Sequence, residues 1–530
     1  MVVGSGAAGL TAALSAATRG ATVRVYERAP VFGGTTAMSG GGMWFPRNPL
    51  GPTLGFKDSA EEAMLYLHRL TFGRVSESLL RDYVDRSPEV FDFLSSKTPM
   101  ELEATDTPDY QTSLPGAQKG GRQVATGLYD TSRLGDMANF LRRGPSPGGI
   151  PAIRHGEYQK SGFGISRDWA KTARARSETG VVARGAAMVG ALMEACVQQG
   201  VEFVASARVM KLVTTERKIT GVVVDREGKS ETCLATNGVV LATGGFEWNR
   251  QLWTDLIAAP LSSPLSPPTN DGDGLRMAMF ARARLGNLGQ VWWMPVVALP
   301  GETYDGQPRV RMGTAPKALP GAIVVNRKGR RFANEAMNYD DFGKIMVRFD
   351  PLTYEYSSLP CFVIVDQAYR DKYALLSHDV ETVPPSDWLY EAPTIRELAQ
   401  RIGVDPHGLE NEITEFNRNT EEGLDPVFHR GEVGWERYRS DPRFKNPNLG
   451  PLAQPPYYAY ELRVGCFGTK CGPVIDEGSR VLDLESKPVP GLFAAGNVTA
   501  SVFGPAYPGG GSTLGPAVTF GYIAGQTATR

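Results

Sequence analysis

The sequence predicts an α/β fold in which one parallel-sheet domain, split along the chain, encloses an inserted α+β domain. Three observations support this prediction. Residues 1–45 follow the order strand, glycine turn, helix, strand, and apolar strands that end in small-residue turns recur at 239–245 and 491–497. The middle of the chain, from about residue 287 to residue 450, is rich in aromatic residues and prolines and carries no such turn. We therefore predict three segments: 1–287 and 452–530 as the two parts of the split domain, and 288–451 as the inserted catalytic cap domain.

The first segment has the spacing of a Rossmann-like dinucleotide-binding turn. The short strand Met1–Val3 leads into Gly4-Ser5-Gly6-Ala7-Ala8-Gly9, and a helical pattern follows. Gly4 permits the tight turn, Gly6 lets the backbone approach a pyrophosphate, and Gly9 lets the helix pack closely on the sheet. The phosphates are expected at the helix N-terminus, where free N–H groups favour negative charge. Glu27 lies 23 positions after Gly4, near the spacing of an acid that binds a ribose hydroxyl.

The segments after Glu27 favour FAD over NAD as the cofactor. Gly33-Gly34-Thr35-Thr36 and Ser39-Gly40-Gly41-Gly42 bring the backbone close to an extended ligand, as a long flavin dinucleotide requires. Later turns after apolar strands predict that both ends of the chain contact one cofactor. The residues predicted to bind FAD are Gly4, Gly6, Ala7, Ala8, Gly9, Glu27, Arg28, Gly34, Thr35, Thr36, Ser39, Gly40, Gly41, Ala242, Thr243, Gly244, Gly496, Asn497, Ser512 and Leu514.

Composition and charge argue against several other classes of protein. The net charge of the 530 residues is −1, so there is no global electrostatic basis for nucleic-acid binding. No apolar run reaches the ~18 residues that span a bilayer, and no signal peptide precedes Gly4, so we expect a reducing, cytoplasmic location. The five cysteines form no C-x-x-C pair and no cluster with the five histidines, which predicts no metal site.

Residues 133–176 form a basic segment. They contain nine Arg and Lys residues against three acidic residues, a net charge of +6, with Met137, Phe140 and Trp169 among the interleaved apolar side chains. The composition favours a solvated loop. Peripheral membrane contact is the alternative interpretation, because apolar side chains with basic neighbours suit an anionic lipid surface.

Histidine is scarce, and three tyrosines are the candidates for catalysis. Tyr507 precedes Pro508-Gly509-Gly510-Gly511 at the start of a predicted helix. A phenol hydroxyl beside a bare glycine N–H at such a position forms a pair of donors that can bind an oxyanion. Tyr339 in the middle segment and Tyr110 in Thr107-Pro108-Asp109-Tyr110 are the other two candidates.

These motifs together resemble the 3-ketosteroid Δ1-dehydrogenase family, FAD-dependent enzymes whose fold is similar to that of fumarate reductase flavoprotein subunits. The resemblance runs nearly from end to end of the chain. It is carried by the opening glycine motif, Gly33-Gly34-Thr35, Pro108-Asp109-Tyr110, Asn334-Glu335, Tyr339-Asp340-Asp341-Phe342-Gly343, Phe428-His429-Arg430-Gly431, Gly468-Thr469-Lys470, Ala494-Ala495-Gly496-Asn497, and Tyr507-Pro508-Gly509 with Gly511. The flavin motifs are shared across a superfamily, whereas the set of tyrosines is more specific.

The resemblance implies a 1,2-desaturation of a 3-ketosteroid. The Tyr507 hydroxyl and the Gly511 N–H would bind the 3-ketone oxygen and stabilise an enolate. Tyr339 would abstract the proton from carbon 2, and Tyr110 would support it through a hydrogen bond. Hydride would pass from carbon 1 to flavin N5, and an external electron acceptor would reoxidise the flavin. Because tyrosine ionises near pH ~10, such a base needs surroundings that lower its pKa, and Tyr110 is the expected source.

Three alternatives stay open on the sequence. A 3-oxo-5α-steroid 4-dehydrogenase would share the flavin domain and the tyrosine–glycine pair. A fumarate-reductase-like enzyme would need arginine and histidine side chains that clamp two carboxylates. A flavin-carrying electron-transfer subunit would not need three tyrosines at the family's positions.

Overall fold

The structure is a computed structural model that describes residues 1–143, 152–160, 168–373, 375–376 and 388–530. The strands are β1 (Val2–Val3), β2 (Arg24–Tyr26), β3 (Met43–Trp44), β4 (Leu102–Ala104), β5 (Gln123–Thr126), β6 (Leu128–Asp130), β7 (Val181–Ala183), β8 (Glu202–Val204), β9 (Arg208–Thr215), β10 (Lys218–Arg226), β11 (Lys229–Leu234), β12 (Val239–Leu241), β13 (Ser263–Pro264), β14 (Leu285–Gly286), β15 (Val291–Tyr304), β16 (Gln307–Met312), β17 (Ala322–Asn326), β18 (Phe349–Asp350), β19 (Glu355–Tyr356), β20 (Cys361–Asp366), β21 (Tyr390–Ala392), β22 (Tyr457–Thr469), β23 (Gly472–Pro473), β24 (Arg480–Leu482) and β25 (Pro488–Ala494).

The helices alternate with these strands along much of the chain, so the predicted α/β class is confirmed. They are α1 (Ala7–Ala17), α2 (Gly34–Ala37), α3 (Ala60–Thr71), α4 (Glu77–Lys97), α5 (His155–Lys160), α6 (Asp168–Glu178), α7 (Arg184–Gln198), α8 (Arg250–Leu256), α9 (Asp273–Phe280), α10 (Thr314–Ala318), α11 (Tyr339–Met346), α12 (Gln367–Lys372), α13 (Ile395–Ile402), α14 (Pro406–Glu422), α15 (Gly434–Tyr438) and α16 (Leu514–Ala528). Short 3-10 helices cover Gly51–Leu54, Thr131–Phe140 and Gly496–Val498.

A six-stranded sheet joins the two ends of the chain. Its order is β24-β25-β12-β1-β2-β8, and every neighbouring pair from β25 to β8 is parallel. Strand β24 pairs antiparallel at the edge. The apolar β12 lies directly beside β1, and β25 lies parallel on the other side of β12, so their small-residue turns open at the same sheet edge as the turn that begins at Gly4.

Helices α1 and α16 pack against each other at backbone distance. A Cβ atom placed on Gly521 would overlap the carbonyl oxygen of Ala8, and one on Gly525 would lie 2.5 Å from the carbonyl oxygen of Ala12. The helix that follows the first strand and the last helix of the chain therefore form one layer, and small residues along both helices make this contact.

A seven-stranded sheet forms the core of the middle part. Its main order is β16-β15-β22-β20-β17, and β13 and β21 also pair with β22. Strand β22 lies within the predicted segment 452–530, and β13 lies within 1–287, yet both belong to this sheet. The long, mostly buried β22 pairs with strands of the middle part along its whole length, because buried backbone N–H and C=O groups need hydrogen-bond partners. The division at 287 and 451 stays a prediction, and sheet membership does not follow it.

The basic segment 133–176 is described only in part. Residues 144–151 and 161–167 of this segment lie outside the described residues, so peripheral membrane contact stays an untested alternative. In the described part, Arg176 forms an ion pair with Glu157 at 2.6 Å. The helices that the structure describes include none with the length and apolar character needed to cross a bilayer.

Candidate active site

The first glycine turn forms a closed cradle at the N-terminus of α1. Gly4 has a φ of +104°, and a Cβ atom on it would overlap the carbonyl oxygen of Ala242 in the turn after β12. A Cβ atom on Gly9 would overlap the carbonyl oxygen of Gly4, so α1 can start this close to the turn only with glycine there. The hydroxyl of Thr36 accepts a hydrogen bond from the N–H of Ala7 at 2.9 Å. Contacts with the turn after β12, with α1 and with Thr36 therefore fix the position of the glycine turn.

Glu27, the acid predicted to contact a ribose, is held by the glycine turn itself. Its carboxylate accepts hydrogen bonds from the N–H and the hydroxyl of Ser5 at 3.1 and 2.5 Å, and from the N–H of Ala29 at 2.9 Å. The neighbouring Arg28 forms an ion pair with Asp271 at 2.7 Å. Both side chains line the cavity that connects this turn with the tyrosines.

One continuous cavity connects the glycine turn with the tyrosines. The predicted site residues that line it are Gly4, Gly6, Ala7, Ala8, Glu27, Arg28, Gly34, Thr35, Thr36, Ser39, Gly40, Gly41, Tyr110, Ala242, Thr243, Gly244, Tyr339, Gly496, Asn497, Tyr507, Gly511 and Leu514.

Two residues predicted to bind FAD do not line this cavity. Gly9 contacts the turn behind it, as its packing role requires. Ser512 is fully buried, and its hydroxyl donates to the carbonyl of Gly509 at 2.7 Å and accepts from the N–H of the same residue at 3.1 Å. Its hydroxyl therefore stabilises the turn that carries Gly511, and direct cofactor contact by Gly9 and Ser512 stays a prediction.

The three tyrosines form a chain of hydroxyls. The Tyr110 hydroxyl donates to that of Tyr339 at 2.6 Å, and the Tyr339 hydroxyl donates to that of Tyr507 at 2.9 Å. Each pair of ring centroids lies 5.1 to 5.5 Å apart, with tilted or edge-to-face rings. Gly511 has a φ of +94° on the same cavity wall, and within the described part of the chain no backbone carbonyl accepts its N–H. Residues from three distant parts of the sequence thus meet at one point.

A buried ion pair and one backbone contact position Tyr110. Its N–H donates to the carbonyl of Pro508 at 2.9 Å, next to Tyr507. The preceding Asp109 binds Arg122 at 2.7 Å and accepts from the indole N–H of Trp44 at 2.8 Å. Arg122 is 1% exposed, and breaking such a buried pair costs about 3–5 kcal/mol, so this loop is rigid.

Tyr339 is the first residue of α11, and the cap of that helix fixes its position. The side chain of Asn338 accepts from the N–H of Asp341 at 3.0 Å, an N-cap worth about 1 kcal/mol. The side-chain amide of Gln111 donates to the carboxylate of Asp341 at 2.6 Å. Because Gln111 follows Tyr110, this bond links the two tyrosine-bearing segments.

Burial changes the acidity of all three phenols. It raises the pKa of Tyr110, Tyr339 and Tyr507 well above the usual tyrosine value. The predicted hydrogen bond from Tyr110 is present and lowers the pKa of Tyr339, but loss of solvation is the larger effect. Tyr110 therefore acts in the expected direction, but burial outweighs it, because water around Tyr339 is replaced by rings rather than by charges.

The cavity fits a flavin dinucleotide in its polar groups as well as its backbone. Thr243 Oγ1 and Gln123 Oε1 are buried in the cavity wall and have no hydrogen-bond partner among the described residues. Buried polar atoms of this kind call for a ligand that supplies donors or acceptors. The bare turn at Gly4 and the N-terminus of α1 supply the backbone N–H groups that suit a pyrophosphate.

Sequence reasoning missed several residues of this region. Gln123, Trp435 and Arg439 line the tyrosine end of the cavity, and the ring of Trp435 lies 4.3 Å from that of Tyr110. Lys470 and Asp340 form a buried pair behind the cavity. The sequence contains a signal only for the Lys470–Asp340 pair, because a lysine at the end of the apolar strand β22 is unusual.

A family described as "FAD binding domain" matches residues 1–514 of the chain. The chain belongs to this FAD-binding family. The matched residues include every predicted FAD contact, and the cradle has the shape that the cofactor requires, so FAD is the cofactor of this FAD-binding protein.

Relatives of this FAD-binding protein include two kinds of ring-ketone dehydrogenase. It is 39% identical over 537 residues to 4-oxocyclohexanecarboxylate 2-dehydrogenase of Sinomonas cyclohexanicum, an alignment that covers 99% of this chain and 92% of the relative. It is 34% identical over 556 residues to 3-oxosteroid 1-dehydrogenase of Mycobacterium tuberculosis, and this alignment covers 99% of this chain and 97% of the relative. The protein is therefore an FAD-dependent dehydrogenase.

A solved structure supports the same assignment. The crystal structure of 3-ketosteroid Δ1-dehydrogenase from Sterolibacterium denitrificans, in complex with 1,4-androstadiene-3,17-dione, matches with a TM-score of 0.92 and 33% identity. The match covers 100% of this chain and 98% of the other. The predicted fold, a Rossmann-like FAD domain with a cap domain as in fumarate-reductase-like flavoproteins, is confirmed.

Proposed function

We propose that this protein catalyses the 1,2-desaturation of a 3-ketosteroid, with FAD as the oxidant. The observation that carries the proposal is the hydroxyl chain Tyr110–Tyr339–Tyr507 beside Gly511 on the wall of the FAD cavity. Two donors and one base around a single point are what the removal of a proton next to a ketone requires. The resemblance to 3-oxosteroid 1-dehydrogenases supports the choice of substrate.

The oxygen of the ketone is bound by two donors in this proposal. Tyr507 and Gly511 both line the cavity, and in this proposal their hydroxyl and N–H meet the negative charge that develops on the oxygen. Removing one such donor typically costs about 3–4 kcal/mol of transition-state stabilisation. These two groups therefore lower the cost of an enolate, which acidifies the adjacent carbon.

The proton on carbon 2 goes to the oxygen of Tyr339. That oxygen lies between the other two phenols, so Tyr110 can stabilise the negative charge on Tyr339 by donating a hydrogen bond. FAD, when bound, accepts the electron pair that leaves with the hydrogen of carbon 1, and an external acceptor regenerates it. The edge-to-face rings around Tyr339 include Phe467 at 5.7 Å and form an apolar surround for this position.

Product analysis tests the position of the new double bond. Incubation of the FAD-loaded protein with androst-4-ene-3,17-dione and an artificial electron acceptor is expected to give a 1,2 double bond, identified by mass and NMR. A 5α-saturated steroid that is converted at carbons 4 and 5 instead would support the 4-dehydrogenase alternative and contradict the proposal.

The activity is expected to rise steeply with pH. Burial raises the pKa of Tyr339 above its usual value, so the reactive tyrosinate is the minor form at neutral pH. Below that pKa the fraction of tyrosinate grows about tenfold per pH unit, and kcat/KM reports the free enzyme. We expect kcat/KM to increase from pH ~7 to pH ~9 without a plateau. A plateau that begins at neutral pH, in protein shown to stay folded, would argue against Tyr339 as the base.

A second candidate substrate is a small ring ketone with a carboxylate, such as 4-oxocyclohexanecarboxylate. The relative at 39% identity acts on this compound according to its name. Arg184 and Arg439 line the cavity, and Arg439 lies over the ring of Trp435, 5.4 Å from the centroid. Burial, together with the nearby Arg184 and Arg439, lowers the pKa of His155 to about 3, so His155 is neutral and the two guanidinium groups carry the positive charge of this region.

Replacement of Arg439 with methionine separates the two candidates. A hydrogen bond between arginine and a carboxylate contributes about 1.5–3 kcal/mol, so R439M should raise the KM for 4-oxocyclohexanecarboxylate roughly 10- to 100-fold. The methyl ester of the same ketone is the matched control, since it keeps the ring and loses the charge. Equal changes for acid and ester would show that Arg439 does not recognise the carboxylate.

A further inference from the structure

Lys470 is a fully buried lysine directly behind Tyr507. Its ammonium group donates to the carbonyl oxygens of Pro505 and Ala506, both at 3.1 Å, just before Tyr507 in the chain. It also lies 4.2 Å from the ring centroid of Trp292 and 5.8 Å from that of Tyr507. Lys470 therefore holds the backbone that carries one of the two groups proposed to bind the ketone.

The partner of Lys470 is Asp340, the residue after Tyr339. The two charged groups are 3.2 Å apart and both side chains are fully buried. The carboxylate of Asp340 also accepts from the N–H of Trp293 at 2.9 Å and pairs with Lys344 at 2.8 Å. This single ion pair thus connects the start of α11, which carries Tyr339, with the loop that carries Tyr507.

A buried charge at this position costs stability. Burial lowers the pKa of Lys470 to about 8, while the nearby Asp340 raises it and Lys344 lowers it. Well-packed apolar residues often replace a buried ion pair without loss of stability, so stability alone does not explain the pair. Its geometric effect is specific, because the three donors of the ammonium group are shared between the Asp340 carboxylate and the carbonyls of Pro505 and Ala506.

We propose that the Lys470–Asp340 pair positions Tyr339 and Tyr507 against each other for the reaction. The inference rests on the proposed function, because it concerns the two phenols that would act on the ketone. Without the ammonium group the 505–506 carbonyls lose their donor, and the loop can move away from α11. A shift of about 1 Å between reacting groups can lower a rate by about 10²-fold.

Lys470→Met tests the proposal, and Arg331→Met is the matched control. Arg331 is also buried and pairs with both Glu335 and Asp425 at 2.7 Å. Its removal leaves Glu335 with a second cation, Arg430 at 3.1 Å. In the same way K470M leaves Asp340 with Lys344. Both variants remove one charge from a buried network, but only K470M touches the segments of the two tyrosines.

The readouts are ketone-driven flavin reduction, the melting temperature and the crystal structure of each variant. K470M is expected to reduce its flavin about 10²-fold more slowly, with KM little changed, and to show a longer distance between the Tyr339 and Tyr507 hydroxyls. R331M is expected to reduce its flavin within about threefold of the unaltered rate, even if its melting temperature falls as much as that of K470M. K470R, which keeps the charge, should recover part of the rate.

Distinct results would overturn the inference or the proposed function. An unaltered hydroxyl distance and an unaltered rate in K470M, or an equal loss of rate in R331M, would overturn the positioning role. If the unaltered protein itself is not reduced by any ring ketone, the proposed function fails, whereas the hydroxyl distance in K470M still reports on positioning. Should K470M not fold, Asp340→Asn supplies the test, because it removes the other charge of the pair and keeps an acceptor for Trp293.

Discussion

Replacement of Tyr339 with phenylalanine is expected to lower the rate of ketone-driven flavin reduction by about 10²–10⁴-fold, the usual contribution of a general base. The substitution removes only the oxygen, while the ring keeps its edge-to-face contacts with Tyr110 and Tyr507. FAD content and the binding of the steroid should change little. Anaerobic stopped-flow absorbance of the flavin measures the rate directly.

Tyr460→Phe is the matched control for this prediction. Tyr460 is fully buried, and its hydroxyl has no hydrogen-bond partner within the residues that the structure describes. Loss of that hydroxyl should leave the rate of flavin reduction unchanged. If Y339F keeps a rate within about tenfold of the unaltered protein, the base is a different group.

Gly4→Ala is expected to abolish FAD binding. The φ of +104° costs a residue with a side chain about 1–2 kcal/mol. The new methyl group would also overlap the carbonyl oxygen of Ala242, and relief of such overpacking costs a further ~1–3 kcal/mol. The turn must therefore move, and the N–H groups at the start of α1 move with it. The purified variant should lack the flavin spectrum.

Gly403→Ala separates backbone strain from damage to the cradle. Gly403 ends α13 with a φ of +68°, and a Cβ atom there would meet no other atom within 4 Å. This variant should lose stability through strain alone and keep its FAD. A G4A protein that purifies with a full complement of FAD would show that the turn does not have to approach the pyrophosphate so closely.

The FAD-binding turn could be predicted from the sequence because its geometry is local. Gly4, Gly6 and Gly9 act within six residues of one another, and the structure closes them into one turn on β1 and α1. The environment of the Ser512 hydroxyl is equally local. A serine three residues after a glycine satisfies its hydroxyl within its own turn, and sequence alone does not distinguish this from contact with a ligand.

The convergence of the tyrosines could not be derived from spacing. Tyr110, Tyr339 and Tyr507 are separated by more than 160 residues each, and only the resemblance to a family identified them as a set. The strand β22 shows the same limit, because its pairing with β15 and β20 depends on contacts far apart in the chain. The Lys470–Asp340 pair was missed because the sequence shows a charge but not its burial.

The raised pKa of the phenols has a consequence for catalysis. In the proposed mechanism the base, Tyr339, is protonated before the substrate binds. It becomes reactive only when the ketone and the cofactor are both bound, since both add groups near Tyr339. The two guanidinium groups at the tyrosine end, Arg184 and Arg439, favour anions in this region, and Arg439 lowers the pKa of Tyr339. The same charges would serve a carboxylate on the substrate, so the chemistry of the base and the choice of substrate are linked.

Anaerobic mixing of the FAD-loaded protein with a ring ketone tests the central claim most directly. With androst-4-ene-3,17-dione or 4-oxocyclohexanecarboxylate as the only reductant, the flavin absorbance should disappear, and deuterium at the carbon next to the ketone should slow this step in the unaltered protein. Whichever ketone reacts faster identifies the substrate class. A flavin that stays oxidised with both ketones, in protein that dithionite reduces normally, would contradict the account.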